Sequence, residues 1–192
     1  LAAIATGLVE GLTLETIRGG LASLPGVPGR LEMVDEGQPF PVLVDYAHTP
    51  DGLDNVLRAV RAFADKKVIT VFGCGGDRDR SKRPVMGRIA AEYSDYVIVT
   101  SDNPRSEPPE RILKDIEEGL REKQYSADKY ELLEDRAAAI ERAIAMASAG
   151  DVVVIAGKGH ETYQITKNGT IHFDDREVAR EAIRKRQVGV SG

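Results

Sequence analysis

The sequence predicts an open α/β fold, a Rossmann-like and mostly parallel sheet with helices on both faces, and three observations predict it. Four short runs are continuously apolar and rich in β-branched residues, as suits strands buried on both faces. Amphipathic helical stretches fall between those runs, and such alternation builds right-handed βαβ units. With 192 residues, the chain can remove about 70% of its unfolded surface from water, enough for one real core.

The elements follow in order. Residues 1–8 and 13–24 read as two short helices, and Leu24-Pro25-Gly26-Val27-Pro28-Gly29 is rich in turn formers. A boundary falls there, with residues 1–28 as helices of a preceding domain plus linker and 29–192 as the main domain. Arg30–Val34 and Phe40–Asp45 flank Glu36-Gly37-Gln38-Pro39 like a hairpin, leading into the first central strand at 42–44. Thr49-Pro50-Asp51 then opens a helix with Leu53, Val56, Leu57, Val60 and Phe63 on one face. After the strand at 68–72, Pro84 opens a second helix with Val85, Met86, Ile89, Ala90 and Tyr93. After the strand at 96–100, Pro108-Pro109 precede a third, with Ile112, Leu113, Ile116 and Leu120. Tyr130–Leu133 is a weaker strand, and Asp135 caps a helix carrying Ala137, Ile140, Ile144 and Ala147. The last strand is 152–156. Asp174, with Glu177 three residues on, opens a helix ending near Arg186, beyond which a polar tail frays.

Composition excludes several classes. Lys and Arg number 26 against 31 Asp and Glu, a net charge of −5 that argues against a nucleic-acid partner held by bulk electrostatics. Hydrophobic residues at 42% and charged residues at 30% exclude wholesale disorder. No apolar stretch approaches membrane-spanning length, so no membrane partner is expected. The single cysteine, Cys74, cannot form an internal disulfide and favours a reducing, cytoplasmic setting. The three histidines and Cys74 lack metal-ligand spacing, so no metal site is expected in this chain. The start, Leu1-Ala2-Ala3-Ile4-Ala5, lacks a basic region and an initiator methionine, as expected of a piece of a longer protein.

In open α/β sheets ligands bind outside the carboxyl ends of the strands. Four polar loops stand there: Asp45-Tyr46-Ala47-His48-Thr49-Pro50, Gly73-Cys74-Gly75-Gly76-Asp77-Arg78-Asp79-Arg80, Ser101-Asp102-Asn103-Pro104-Arg105 and Gly157-Lys158-Gly159-His160-Glu161. Their convergence on one rim reads as a binding site. Each also has an ordinary alternative. Asp45 and His48 could cap the next helix, Gly73–Gly76 could be a tight turn, and the basic run Arg78–Arg83 could be a solvated face. Cys74 reads as loop filler and His172 as a surface residue without a partner. Neither G-x-x-x-x-G-K-[ST] nor G-x-G-x-x-G occurs anywhere in the chain.

Taken with Gly29-Arg30-Leu31-Glu32, these loops resemble the Mur ligase family, in the same order and at matching separations over essentially the whole chain. The resemblance is to the C-terminal domain, plus the last two helices of the central ATPase domain, of the branch that adds meso-diaminopimelate. It implies an ATP-dependent amide-forming ligase of peptidoglycan-precursor synthesis, working through an acyl phosphate on a UDP-N-acetylmuramoyl dipeptide. Carried over, Arg30 would approach the nucleotide phosphates, Asp45 would accept from the ribose hydroxyls, and His48 would lie beside them. Arg78, Asp102, Asn103, Pro104, Arg105, Gly157 and Glu161 would form the amino-acid pocket, with Arg105 either binding the distal carboxylate or pairing with Glu107 or Glu161. Lys158 and His160 match the motif without an assigned role. ATP and magnesium would be held mainly by the central domain, so that this piece, a monomer, is inactive alone. The alternatives are a free-standing amino-acid or nucleotide-binding module without catalysis, or a related ligase adding L-lysine.

Overall fold

A computed structural model describes residues 2–23 and 26–190. Along it come α1 (Ala2–Val9), α2 (Leu14–Ala22), β1 (Glu32–Val34), β2 (Val42–Asp45), α3 (Pro50–Phe63), β3 (Val68–Phe72), α4 (Lys82–Tyr93) and β4 (Tyr96–Thr100). There follow α5 (Pro109–Glu122), β5 (Tyr130–Leu133), α6 (Arg136–Met146), β6 (Val152–Ala156), β7 (Tyr163–Thr166), β8 (Gly169–His172) and α7 (Asp175–Val190). Six strands form one sheet in the order β1-β2-β6-β3-β4-β5, parallel except where β1 pairs antiparallel with β2. The predicted class holds.

Every residue of β2, β3 and β6 is buried, which is why those runs are apolar without alternation. Side chains still alternate between two cores. Val68 and Phe72 of β3 pack with Leu53 and Leu57 of α3, Met86 of α4, and Ile112 and Ile116 of α5. Ile69 and Val71 pack on the other face with Ile140 and Ile144 of α6 and Ala179 and Ile183 of α7. The chain thus builds β3, β4 and β5 outward under one helical layer. It then recrosses through α6 on the opposite face to insert β6 between β2 and β3. That reversal is a topological switch point, and the crevice outside it is where an open sheet holds ligands.

Caps follow the sequence signals. Thr49 accepts from Gly52 N at 3.2 Å ahead of α3, and Asp135 accepts from Ala137 N at 2.8 Å and Ala138 N at 3.1 Å ahead of α6. Other details differ from expectation. Helix α4 starts at Lys82, ahead of Pro84, because a proline in the first turn removes an N–H that has no helical partner anyway. Helix α7 reaches Val190 instead of stopping near Arg186. Asp174 does cap α7, accepting from Arg176 N at 2.8 Å, but Glu177 bonds His172 Nε2 at 2.6 Å. His172 is exposed and partnered, its pKa raised by that hydrogen bond. The antiparallel β7–β8 pair was not anticipated. Of the turn placed at the domain boundary, Leu24 and Pro25 lie outside the described residues.

Candidate functional site

The carboxyl ends of β2, β3, β4 and β6 open on a cleft of about 390 Å³. Its walls gather His48 from the loop after β2, Arg78 from that after β3, and Asp102, Asn103 and Arg105 from that after β4. Gly157 and Glu161 come from the loop after β6. The sheet brings together residues spread over more than a hundred positions, because each loop starts where a buried strand ends.

Arg105 stands in the left-handed region at φ +54. A non-glycine residue there stores strain that its surroundings must hold. Its main-chain N–H donates to Ile165 O at 3.0 Å, and Nη1 donates to Gly76 O at 3.0 Å and Asn103 O at 3.2 Å. It therefore pairs with neither Glu107 nor Glu161. Main-chain carbonyls orient the guanidinium without neutralising it, which keeps its charge for an anion. Glu107 is taken by Arg83, whose Nη1 and Nη2 donate to its two oxygens at 2.8 and 2.7 Å. Arg83 is fully buried, so the run Arg78–Arg83 is not wholly a solvated face. Arg78 is exposed, its Nη1 donating to Asp77 O at 3.1 Å.

The same cleft is lined by the carboxylate residues Asp79, Asp102 and Glu161. Asp102 is buried on the rim, its main-chain carbonyl held by Gln164 Nε2 at 2.8 Å. Gly157, at φ +123, lets the chain pass so close that a Cβ there would lie 2.7 Å from Asp102 Oδ2. Glu161 Oε2 accepts from Asn103 Nδ2 at 3.1 Å and from Lys158 Nζ at 3.1 Å. Asn103 Oδ1 in turn accepts from Lys158 Nζ at 3.2 Å and Ile165 N at 2.9 Å. Underneath, the buried Arg136 donates to Ser101 O at 3.2 Å and Ala156 O at 3.1 Å while paired with Asp175. It ties the ends of β4 and β6 together from below the cleft.

Three predicted residues lie elsewhere. Pro104 borders a neighbouring cavity of about 730 Å³, with Arg105 touching both spaces. Arg30 is exposed, its guanidinium 5.3 Å from the centroid of the Tyr46 ring. Asp45 lies outside this cleft. It is 3% exposed, Oδ1 accepts from Ala47 N and Oδ2 from Leu31 N, each at 2.8 Å. It fastens the turn that carries Arg30. It does not cap α3, since Thr49 does. His48 lines the cleft with its ring 4.6 Å from that of Tyr46, and Nδ1 lies 2.9 Å from Tyr46 O. Cys74 is filler as read: buried, Sγ 3.6 Å from Met86 Sδ, the thiol pushed up to about 12 chiefly by burial. Among the described residues no group of three or more His, Cys, Asp or Glu could hold a metal ion. No helix there is long and apolar enough to cross a membrane.

Sequence reasoning passed over Gln164 and gave Lys158 no role. Lys158 offered a signal, a lysine between two glycines at a strand end. Gln164 offered none by itself.

Comparison with known proteins adds to this geometry. The family pattern of the Mur ligase, glutamate ligase domain, matches residues 29–159. A UDP-N-acetylmuramoyl-L-alanyl-D-glutamate–2,6-diaminopimelate ligase of Solibacter usitatus is 58% identical over 96% of this chain and 37% of its own length. A protein of the same name from Syntrophomonas wolfei is 56% identical, again over 96% and 37%. A solved structure with that name superimposes with a TM-score of 0.78 at 40% identity, over 97% of this chain and 37% of that one. The chain thus spans little more than a third of the proteins it matches.

Proposed function

The chain belongs to the Mur ligase family, and from that premise we propose that it is the C-terminal, amino-acid-binding domain of an ATP-dependent ligase that adds meso-diaminopimelate to UDP-N-acetylmuramoyl-L-alanyl-D-glutamate. In the reaction, ATP phosphorylates the terminal carboxylate of the dipeptide. The amine of diaminopimelate attacks that acyl phosphate, forming the amide bond while the C–O bond to phosphate breaks and phosphate leaves. Residues 29–192 are the working domain in this reading, and α1 and α2 belong to the central ATPase domain.

One observation carries the proposal: Arg78 and Arg105 line one small cleft together with Asp102, Glu161 and Gly157. Diaminopimelate is zwitterionic at both ends, and its far end differs from that of lysine by one carboxylate. The Arg105 guanidinium, held on the carbonyls of Gly76 and Asn103, suits that carboxylate. Glu161 Oε1 and the Gly157 carbonyl suit the ammonium beside it. With lysine bound, a partly desolvated guanidinium would lack its partner, and sites built around a polar group reject analogues lacking it by 10⁴-fold or so.

The nucleotide lies on the far side of Tyr46, where the exposed Arg30 meets the phosphates and Asp45 keeps the Arg30 turn in place. His48 stands between the two sites. Magnesium would find no ligand set among the described residues, and no step here is assigned to it.

The test is ligase activity of the full-length protein with diaminopimelate and with L-lysine, in wild type and Arg105→Ala. The wild type should strongly prefer diaminopimelate, and the variant should lose most of that preference. Equal use of lysine by the wild type, or unchanged selectivity in the variant, would sink the reading.

A further inference from the structure

Lys158 is fully buried, a lysine set behind side chains that line the cleft. A charge so placed is costly unless it is paired and hydrogen-bonded. Its Nζ has two oxygen partners, Asn103 Oδ1 at 3.2 Å and Glu161 Oε2 at 3.1 Å, and lies 5.5 Å from the centroid of the Tyr163 ring. Both oxygens belong to side chains that line the cleft, whereas Lys158 itself does not line it.

The geometry points to Lys158 as the positioning residue of the amino-acid site, an inference that rests on the reading of that site given above. Lys158 acts through two side chains. Asn103 Oδ1 receives two donors, Lys158 Nζ and Ile165 N. Its amide must therefore turn Nδ2 the other way, where it donates to Glu161 at 3.1 Å. Glu161 is the second. Both of its bonds end on Oε2, so the carboxylate is pinned by one oxygen, leaving Oε1 for a ligand. An ammonium arriving at Oε1 meets an acceptor already fixed in direction. Lys158 also neutralises much of the Glu161 charge from below, so the carboxylate rewards a second cation by contact and direction more than by bulk attraction. Remove the ammonium and Glu161 keeps a single neutral donor, free to rotate about its long side chain.

The test uses the full-length ligase with Lys158→Met, which keeps length and apolar bulk but removes the charge. Expected is a rise of roughly tenfold or more in KM for diaminopimelate, the scale of one charge-assisted hydrogen bond. The values of kcat and of KM for ATP should stay within about twofold. Because Lys158 acts through Glu161, adding Lys158→Met to Glu161→Gln should change KM by less than about threefold, as coupled residues do. A fall in kcat with KM unchanged, or full additivity with Glu161→Gln, would overturn the assignment. Lys158→Gln, which keeps a donor for Asn103 without charge, serves as second variant with the same expectation. If neither folds, Lys158 is a purely structural residue and the inference fails. Should the wild type prefer L-lysine, the diaminopimelate reading falls by itself, and the Lys158 comparison is then read on the KM for lysine.

Discussion

Arg105 concentrates the chemistry of the site in one residue, and its backbone shows how. At φ +54 it occupies a region that costs a non-glycine residue about 1–3 kcal/mol, offset here by its bonds to Ile165, Gly76 and Asn103. Arg105→Lys should therefore keep the charge yet lose the two-carbonyl seat and the forked donor geometry. The expected outcome is diaminopimelate KM raised about tenfold with selectivity over lysine partly retained, measured in the full-length enzyme beside Arg105→Ala. Gly157→Ala makes the complementary case. The left-handed backbone disfavours any side chain, and the new Cβ would press on Asp102 Oδ2 at 2.7 Å. Asp102 would have to shift, so amino-acid binding should weaken at least tenfold, a change that calorimetric titration with diaminopimelate would register. At this scale the sequence was legible where residue type alone names a task. Arginines and acids at strand ends fell into one cleft as read. Asp45 shows the limit: a carboxylate at a strand end serves a ligand or the chain's own N–H groups equally well. The bond from Leu31 N, fourteen residues earlier, is invisible to local sequence pattern.

Between elements the deciding contacts are buried charges. Arg83 of α4 reaches Glu107 in the loop before α5 and Asp115 within α5, and its Nη2 also donates to Gly75 O at 3.2 Å. The helices can approach so closely because Gly119 faces Pro84, where a Cβ would lie 1.9 Å from the carbonyl oxygen. Hydrogen bonding from Arg83 holds the Glu107 carboxyl down at about 2, against an ordinary 4.5. A depressed carboxyl stabilises the fold above its unfolded pKa and loses that contribution as pH falls through the folded value. Arg83→Met should therefore cost about 1–3 kcal/mol at neutral pH, since it takes the main charged donor from the half-buried Glu107 while Arg80 still pairs with Asp115. Urea unfolding at several pH values checks this: the gap between variant and wild type should narrow as pH falls from about 5 toward about 2. A gap independent of pH would assign the loss to packing. The β7–β8 hairpin matters equally, because Gln164 and Ile165 stitch it to Asp102, Asn103 and Arg105. Gln164→Ala should loosen that segment and raise diaminopimelate KM several-fold, with the fold retained in circular dichroism. Helices and central strands were legible because burial imposes their periodicity. The hairpin was not, since its strands have four residues each and β8 is wholly exposed. Its one local signal was the Asn168-Gly169 turn pair.

Across the whole molecule, the sheet order explains why one rim carries all the chemistry. Inserting β6 between β2 and β3 places the loop Gly157–Glu161 between the loop of His48 and the loop of Arg78. Alternation of strands and helices announced the parallel sheet, but not this order. Every parallel permutation buries the same apolar runs, and only tertiary packing selects one. The arrangement also separates two tasks. On the proposed reading the amino-acid cleft draws both charge signs from the chain itself. The nucleotide side proposed here has Arg30, exposed beside Tyr46, and no phosphate-wrapping loop, since the 192 residues contain no G-x-x-x-x-G-K-[ST] segment. A single exposed guanidinium binds a triphosphate weakly in water, and phosphoryl transfer depends almost wholly on positioning and charge stabilisation around the phosphates. This chain alone should therefore bind meso-diaminopimelate measurably by calorimetry, yet release no phosphate from ATP above background with magnesium and every substrate present. Phosphate release by the purified chain would show that its own residues suffice to activate ATP. Undetectable diaminopimelate binding would show instead that the cleft is finished only when the nucleotide side closes over it.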